Sequence, residues 1–160
     1  MAFAHNLKIL LPFQITAGYP TAADTVELML AMQAGGTSVI ELGVPYTDPQ
    51  ADGATIQLAN QMAIKGGTKS VGDCLKFVSE ARAKGLTIPV ILMGYYNPFY
   101  QYGIPALAKD SAANGVDGFI VVDLPPEESN AFVSLTAAEK VRTLDNSARR
   151  TSAGPTWGPA

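Results

Sequence analysis

Short, almost continuously apolar runs alternate along this chain with longer stretches whose apolar positions recur every three or four residues. The short runs fall at residues 9–16, 38–42, 89–93 and 118–122. Runs of this length, rich in β-branched residues, suit parallel strands buried on both faces. The longer stretches between them predict helices. Thr21 can cap one that carries Val26, Met29, Leu30 and Ala34 and stops at Gly35-Gly36. Residues 55–64 predict a second, shorter helix before Gly66-Gly67. Ser70 can cap a third, with Val71, Cys74, Leu75, Val78 and Ala81 on one face and Gly85 beyond its end. Residues 104–114 predict a fourth, followed by Gly115.

Strand and helix in strict alternation, with brief glycine stops, argue for a parallel sheet with right-handed crossovers. A doubly wound sheet and a (β/α)8 TIM barrel both meet that pattern. No G-x-G-x-x-G follows the first strand, which lowers a dinucleotide-binding reading. Polar groups instead gather where strands end: Glu41, Asp52, Asn97 and Asp123. A barrel builds its active site from such loops. The expected fold is therefore α/β, a partial TIM barrel of about four βα units over residues 1–129, where a whole barrel takes about 250 residues and eight strands. From residue 130 the alternation fails. Residues 131–135 can begin a helix, but 146–160 are rich in Ser, Gly, Pro and Arg without apolar period. Residues 130–160 are expected to form a divergent, disordered tail with Trp157 exposed.

Composition narrows the function classes. The 160 residues are 48% hydrophobic and 16% charged, a globular balance, with net charge -3. No broad basic field exists to hold nucleic acid or an anionic membrane. No apolar run approaches the roughly 20 residues of a membrane span. The first residues lack the basic start and apolar stretch of a signal peptide, and the single cysteine, Cys74, fits a reducing compartment, so cytoplasm is expected.

Three clusters can carry chemistry. The first is IELGVPYTDPQADGATIQ at residues 40–57. Glu41 sits inside an apolar strand, where an ionised carboxylate is costly unless it is paired or its pKa rises. A raised pKa suits a general acid-base group; a partner arginine or backbone donors would equally satisfy the residue. Asp52 follows on a loop stiffened by Pro45, Pro49 and Gly53, either facing the strand end or closing a turn and capping the next helix. The second cluster, MGYYNPFYQY at 93–102, offers aromatic rings with polar tips for a flat, partly polar substrate, or plain packing between loop and helix. The third, VVDLPPEES at 121–129, ends a strand at Asp123 and starts a helix at Glu127-Glu128, for which structure is the simpler role. His5 lies near the terminus, and Cys74 sits on the apolar face of its helix. No Cys/His set has metal-ligand spacing, and no P-loop is present.

The blocks ITAGYP (15–20), IELGVPYTDPQADGATIQ (40–57), MGYYNP (93–98) and VDLPPEES (122–129) together resemble the tryptophan synthase alpha subunit, in wording the fungal type in which alpha and beta parts are fused. The resemblance covers residues 7–130, roughly the amino-terminal half of that domain. It implies a TIM barrel and a lyase of L-tryptophan biosynthesis. The implied reaction is retro-aldol cleavage of indole-3-glycerol phosphate to indole and glyceraldehyde 3-phosphate. By resemblance Glu41 is the proton shuttle, Asp52 accepts a hydrogen bond from the indole N–H, and Tyr95 lines the indole pocket. Asp48 and Asn97 would meet a beta subunit or fused beta domain. The resemblance implies no metal and no cofactor in this part; pyridoxal phosphate belongs to the beta part. The family's later, glycine-rich phosphate loops have no counterpart after Ser129, so this chain is expected to be inactive by itself, or to be a non-catalytic fragment that binds a beta-type partner.

Overall fold

The computed structural model describes residues 11–145. Eleven elements follow one another: β1 (Pro12–Thr16), α1 (Ala22–Ala34), β2 (Val39–Gly43), α2 (Ala54–Lys65), α3 (Val71–Ala83), β3 (Val90–Gly94), α4 (Tyr96–Tyr102), α5 (Ile104–Asn114), β4 (Gly118–Val121), α6 (Pro126–Ala138) and β5 (Arg142–Asp145). The sheet is parallel throughout, in the order β1-β2-β3-β4-β5. Each strand lies beside its neighbour in sequence. A doubly wound sheet reverses its strand order at a switch point. This one never does, so its winding is that of a barrel wall.

Two expectations are corrected here. A fifth strand joins the four read from apolar runs, and α6 extends to Ala138, so the regular pattern passes residue 129 and reaches Asp145. Strand β5 escapes a search for apolar runs because its sequence is RTLD. Its place comes from pairing Gly118↔Arg142 and Phe119↔Thr143, and from a 2.8 Å hydrogen bond between the hydroxyls of Thr136 in α6 and Thr143. The aromatic cluster after β3 is also helical, as α4. Residues 146–160 with Trp157, and His5, lie outside the described residues.

Helix starts vary in their chemistry. Ser70 forms a full capping box: its hydroxyl oxygen accepts from the Asp73 N–H, and the Asp73 carboxylate accepts from the Ser70 N–H. Thr21 occupies the N-cap of α1 without capping it, because its hydroxyl donates instead to the Asp24 carboxylate at 2.6 Å.

The two faces of the sheet differ. Ile40, Leu42, Val90, Leu92, Phe119 and Val121 point to the helices and are fully buried. Against them pack Met29, Val78, Leu107, Phe99 and Phe132. Phe119 meets Phe99 and Phe132 edge-on, with ring centroids 5.5 and 5.6 Å away. Burying each such side chain contributes about 1.5–3 kcal/mol. On the opposite face, Gln14, Glu41, Ile91, Gly118 and Arg142 share one register row. Glu41 and Ile91 are half-buried, and Gln14 and Arg142 are exposed. Burial on both faces is therefore met on the helix side only. In a closed barrel this second face looks into an interior filled by the facing strands.

At the amino end of the sheet, Arg82 gathers the chain. Its guanidinium donates to the carbonyls of Gly115, Leu86 and Ile88 at 2.8–3.0 Å and to Asp117 at 2.7 Å. Asp117 also accepts from the Val90 N–H at 2.8 Å. Gln33 accepts from the amides of Thr87 and Ile88 and donates to the Gly85 carbonyl. Together they fix where β3 begins.

Candidate active site

The carboxyl ends of β1, β2 and β3 open into a small cleft, continuous with solvent, whose lining includes Gln14, Thr16, Asp52, Asn60, Met93 and Tyr95. Residues 44–53 form one wall, and their path is set by distant side chains. The Tyr95 hydroxyl oxygen accepts from the Ala51 N–H at 2.8 Å. The Tyr46 and Tyr95 rings lie 5.1 Å apart. Gln57 of α2 donates to the Asp52 carbonyl at 2.9 Å, and the Asp52 N–H donates to the Pro49 carbonyl at 3.3 Å. The Asp52 backbone thus closes a turn, but the N-cap of α2 is Gly53, not Asp52. The Asp52 side chain is left to the cleft, where Asn60 Nδ2 donates to Oδ2 at 3.2 Å. Burial raises the pKa of Asp52 above its ordinary value, and the Asn60 hydrogen bond works against that rise.

Glu41 lies on the face of the sheet that carries the cleft. Its register neighbours are Gln14 and Ile91, and Gln14 lines the cleft with Asp52. Gly43, two residues further along β2, belongs to the lining, so Glu41 stands one side-chain layer deeper. Glu41 is only half-buried, contrary to the expectation of an enclosed carboxylate, because the covered face of β2 is the one holding Ile40 and Leu42. No hydrogen bond or ion pair engages its side chain among the described residues, so neither the partner arginine nor the backbone donors are realised there.

Tyr95 is buried at the start of α4, and burial raises its pKa. Asp48 and Asn97 sit at the exposed rim of the same end. Asp48 accepts from the Thr47 hydroxyl at 3.3 Å, and Asn97 donates to the Tyr46 hydroxyl at 3.4 Å. One contributor, Asn60, escapes the sequence reading, and so does one partner of a residue that does not. Asn60 is a lone amide buried beside Ala59 and Ala63 on α2, and that misfit was the legible signal. Asp123 is visible as a strand-end acid, but its partner is not: it accepts from the Tyr96 N–H at 2.6 Å and so ties the exit of β4 to the first turn of α4. Gly18 in the first loop has φ 83°, and a Cβ there would fall 2.2 Å from the Thr68 hydroxyl, so only glycine lets that loop close on the α2–α3 turn. Cys74 is no nucleophile, since burial pushes its thiol up to about 12. No group of three or more metal-ligating side chains occurs among the described residues. No helix among them is long and apolar enough to cross a membrane.

A sheet wound in one direction, clad by helices on one face and bearing acids and aromatic rings at its carboxyl end, defines the class: a TIM-barrel wall of the kind on which enzymes place their sites. The chain belongs to the tryptophan synthase alpha chain family, whose sequence model matches residues 2–152, well past the residue at which the resemblance in the four blocks ends. The tryptophan synthase of Saccharomyces cerevisiae is 51% identical over 124 residues, which are 78% of this chain and 17% of that protein. The tryptophan synthase alpha chain of Cupriavidus metallidurans is 49% identical over 138 residues, covering 86% of this chain and 51% of the relative. The crystal structure of tryptophan synthase subunit alpha from Legionella pneumophila superposes with a TM-score of 0.80 at 39% identity, over 84% of this chain and 51% of that one. The chain thus spans about half the length of the alpha chains it matches.

Proposed function

We propose that this chain carries the acid half of an indole-3-glycerol phosphate lyase site, with Glu41 as proton shuttle, Asp52 as the anion facing the indole N–H, and Tyr95 as a wall of the indole pocket. The observation that carries the reading is that Gln14, the register partner of Glu41, lines the same cleft as Asp52 on the open face of the sheet. Glu41 protonates C3 of the indole ring and then removes the proton of the adjacent glycerol hydroxyl. The carbon–carbon bond between ring and side chain breaks, its electrons return to the ring, and indole leaves with glyceraldehyde 3-phosphate. Positive charge develops on the indole nitrogen as C3 is protonated. A fixed carboxylate opposite it stabilises the transition state more than the ground state. A Glu41 without a fixed partner is free to exchange a proton in both directions.

The chain's own part needs no cofactor in this scheme. Asp48 and Asn97, at the exposed rim, belong to the face that meets a beta-type partner, and pyridoxal phosphate belongs to that partner. The substrate phosphate is assigned to the remainder of a barrel, since its usual holders are backbone amides of later loops and a helix N-terminus. The test is indole release from indole-3-glycerol phosphate by this chain mixed with the carboxyl-terminal half of the Cupriavidus metallidurans alpha chain. Release that requires Glu41 and Asp52 supports the reading; release unaffected by Glu41→Gln and Asp52→Asn removes it. Binding to a beta chain without any release would favour the interaction-module reading instead.

A further inference from the structure

We infer that Asn60 is the positioning residue of Asp52: its buried amide fixes which way the carboxylate faces in the cleft. The inference rests on the proposed role of Asp52. Asn60 is 4% exposed and sits in the second turn of α2, where the helix backbone leaves it little freedom. Its Nδ2 reaches Oδ2 of Asp52 at 3.2 Å, and both residues line the cleft. The backbone around Asp52 is held by other groups: Tyr95 through Ala51, Gln57 through the Asp52 carbonyl, and Pro49 through the Asp52 amide. Those contacts place the Cα of Asp52 but leave its side-chain torsions open. Among the described residues, Asn60 makes the hydrogen bond that fixes them.

The division of labour has a chemical consequence. A donor fixed to one carboxylate oxygen leaves the other oxygen free for an N–H on the substrate. The same donor favours the ionised form against the burial that opposes it. Asn60 therefore keeps Asp52 both aimed and charged. Tyr95, the titratable neighbour on the α4 side, keeps its proton at neutral pH because burial raises its pKa, so it does not compete for that role.

The test is a carboxyl carbon NMR titration of Asp52 in the full chain, for the wild type, Asn60→Leu and Asn60→Ser. Asn60→Leu keeps the volume and removes the donor. It is expected to raise the Asp52 midpoint by about one pH unit and to turn a single Asp52 χ1 rotamer, read from three-bond couplings, into an average. Asn60→Ser is small, keeps a hydroxyl donor, and is expected to lie between the two; it carries the test if the leucine variant does not fold. An Asp52 midpoint and rotamer unchanged in the folded variants would overturn the inference. A moved titration with no indole release from the complemented chain would keep Asn60 as the partner of Asp52 and remove the lyase reading. Glu41-dependent release with an unmoved titration would do the reverse.

Discussion

The two ends of the sheet use polar side chains for opposite purposes. At the amino end, the Arg82 guanidinium is shared among three carbonyls and Asp117, Asp117 takes a second donor from Val90, and Gln33 is engaged at both its oxygen and its nitrogen. Little hydrogen-bonding capacity is left to offer a ligand. At the carboxyl end, Glu41 has no fixed partner among the described residues and Asp52 has one donor. Both ends contain acids, amides and aromatic or aliphatic packing, so composition does not distinguish them. What distinguishes them is unspent capacity, and that is the property a site for proton transfer needs.

Substitutions can break this contrast. The largest effect on stability is expected at the amino end, from Arg82→Ala. It strips donors from three carbonyls and leaves Asp117 with only the Val90 N–H, and denaturant unfolding should show a loss of about 3 kcal/mol. Gln33→Ala, which frees the amides of Thr87 and Ile88, should cost about 1–2 kcal/mol in the same measurement. Ser70→Ala removes one arm of the α3 capping box and should cost about 1 kcal/mol. A loss much smaller than these at Arg82 would mean that the amino end does not carry the structural role assigned to it.

The carboxyl end should respond with the opposite sign. Burial raises the folded-state pKa of Asp52 above its ordinary 3.8, so between those values the folded chain binds more protons than the unfolded one. Stability therefore falls as pH rises through that window. Asp52→Asn removes the dependence. Its Tm is expected to exceed that of the wild type at pH 7, with the difference closing as pH falls below about 4. A variant less stable than wild type at pH 7 would place Asp52 among the structural groups instead.

Much of this was open to sequence reading because it is local. Helices α1, α3 and α5 follow from apolar spacing and glycine stops, and the cap of α3 from Ser70. The rest depends on neighbours far along the chain. Helix α4 begins where Asp123 of another βα unit receives the Tyr96 amide, and it carries Pro98 in its first turn, so its aromatic segment reads as loop. Strand β5 is a strand because β4 lies beside it, not because RTLD is apolar. The apolar surroundings of Glu41 suggested enclosure, yet alternate positions of β2 face different environments, and the face of Glu41 is only partly covered. Asp52 was legible as a candidate on its loop but its direction was not, since the loop is held by Tyr95, 44 residues from Ala51, and the carboxylate by the Asn60 amide on α2.

The contrast between the two ends is tested most directly by indole release from indole-3-glycerol phosphate, with the chain complemented by the second half of a relative's barrel. Release is expected from the wild-type chain, with a fall of about a thousandfold for Glu41→Gln and about a hundredfold for Asp52→Asn. Gln33→Ala should change it less than threefold. Equal rates in all four proteins, or no release from the complemented wild type, would contradict the assignment of the open end of this sheet to catalysis.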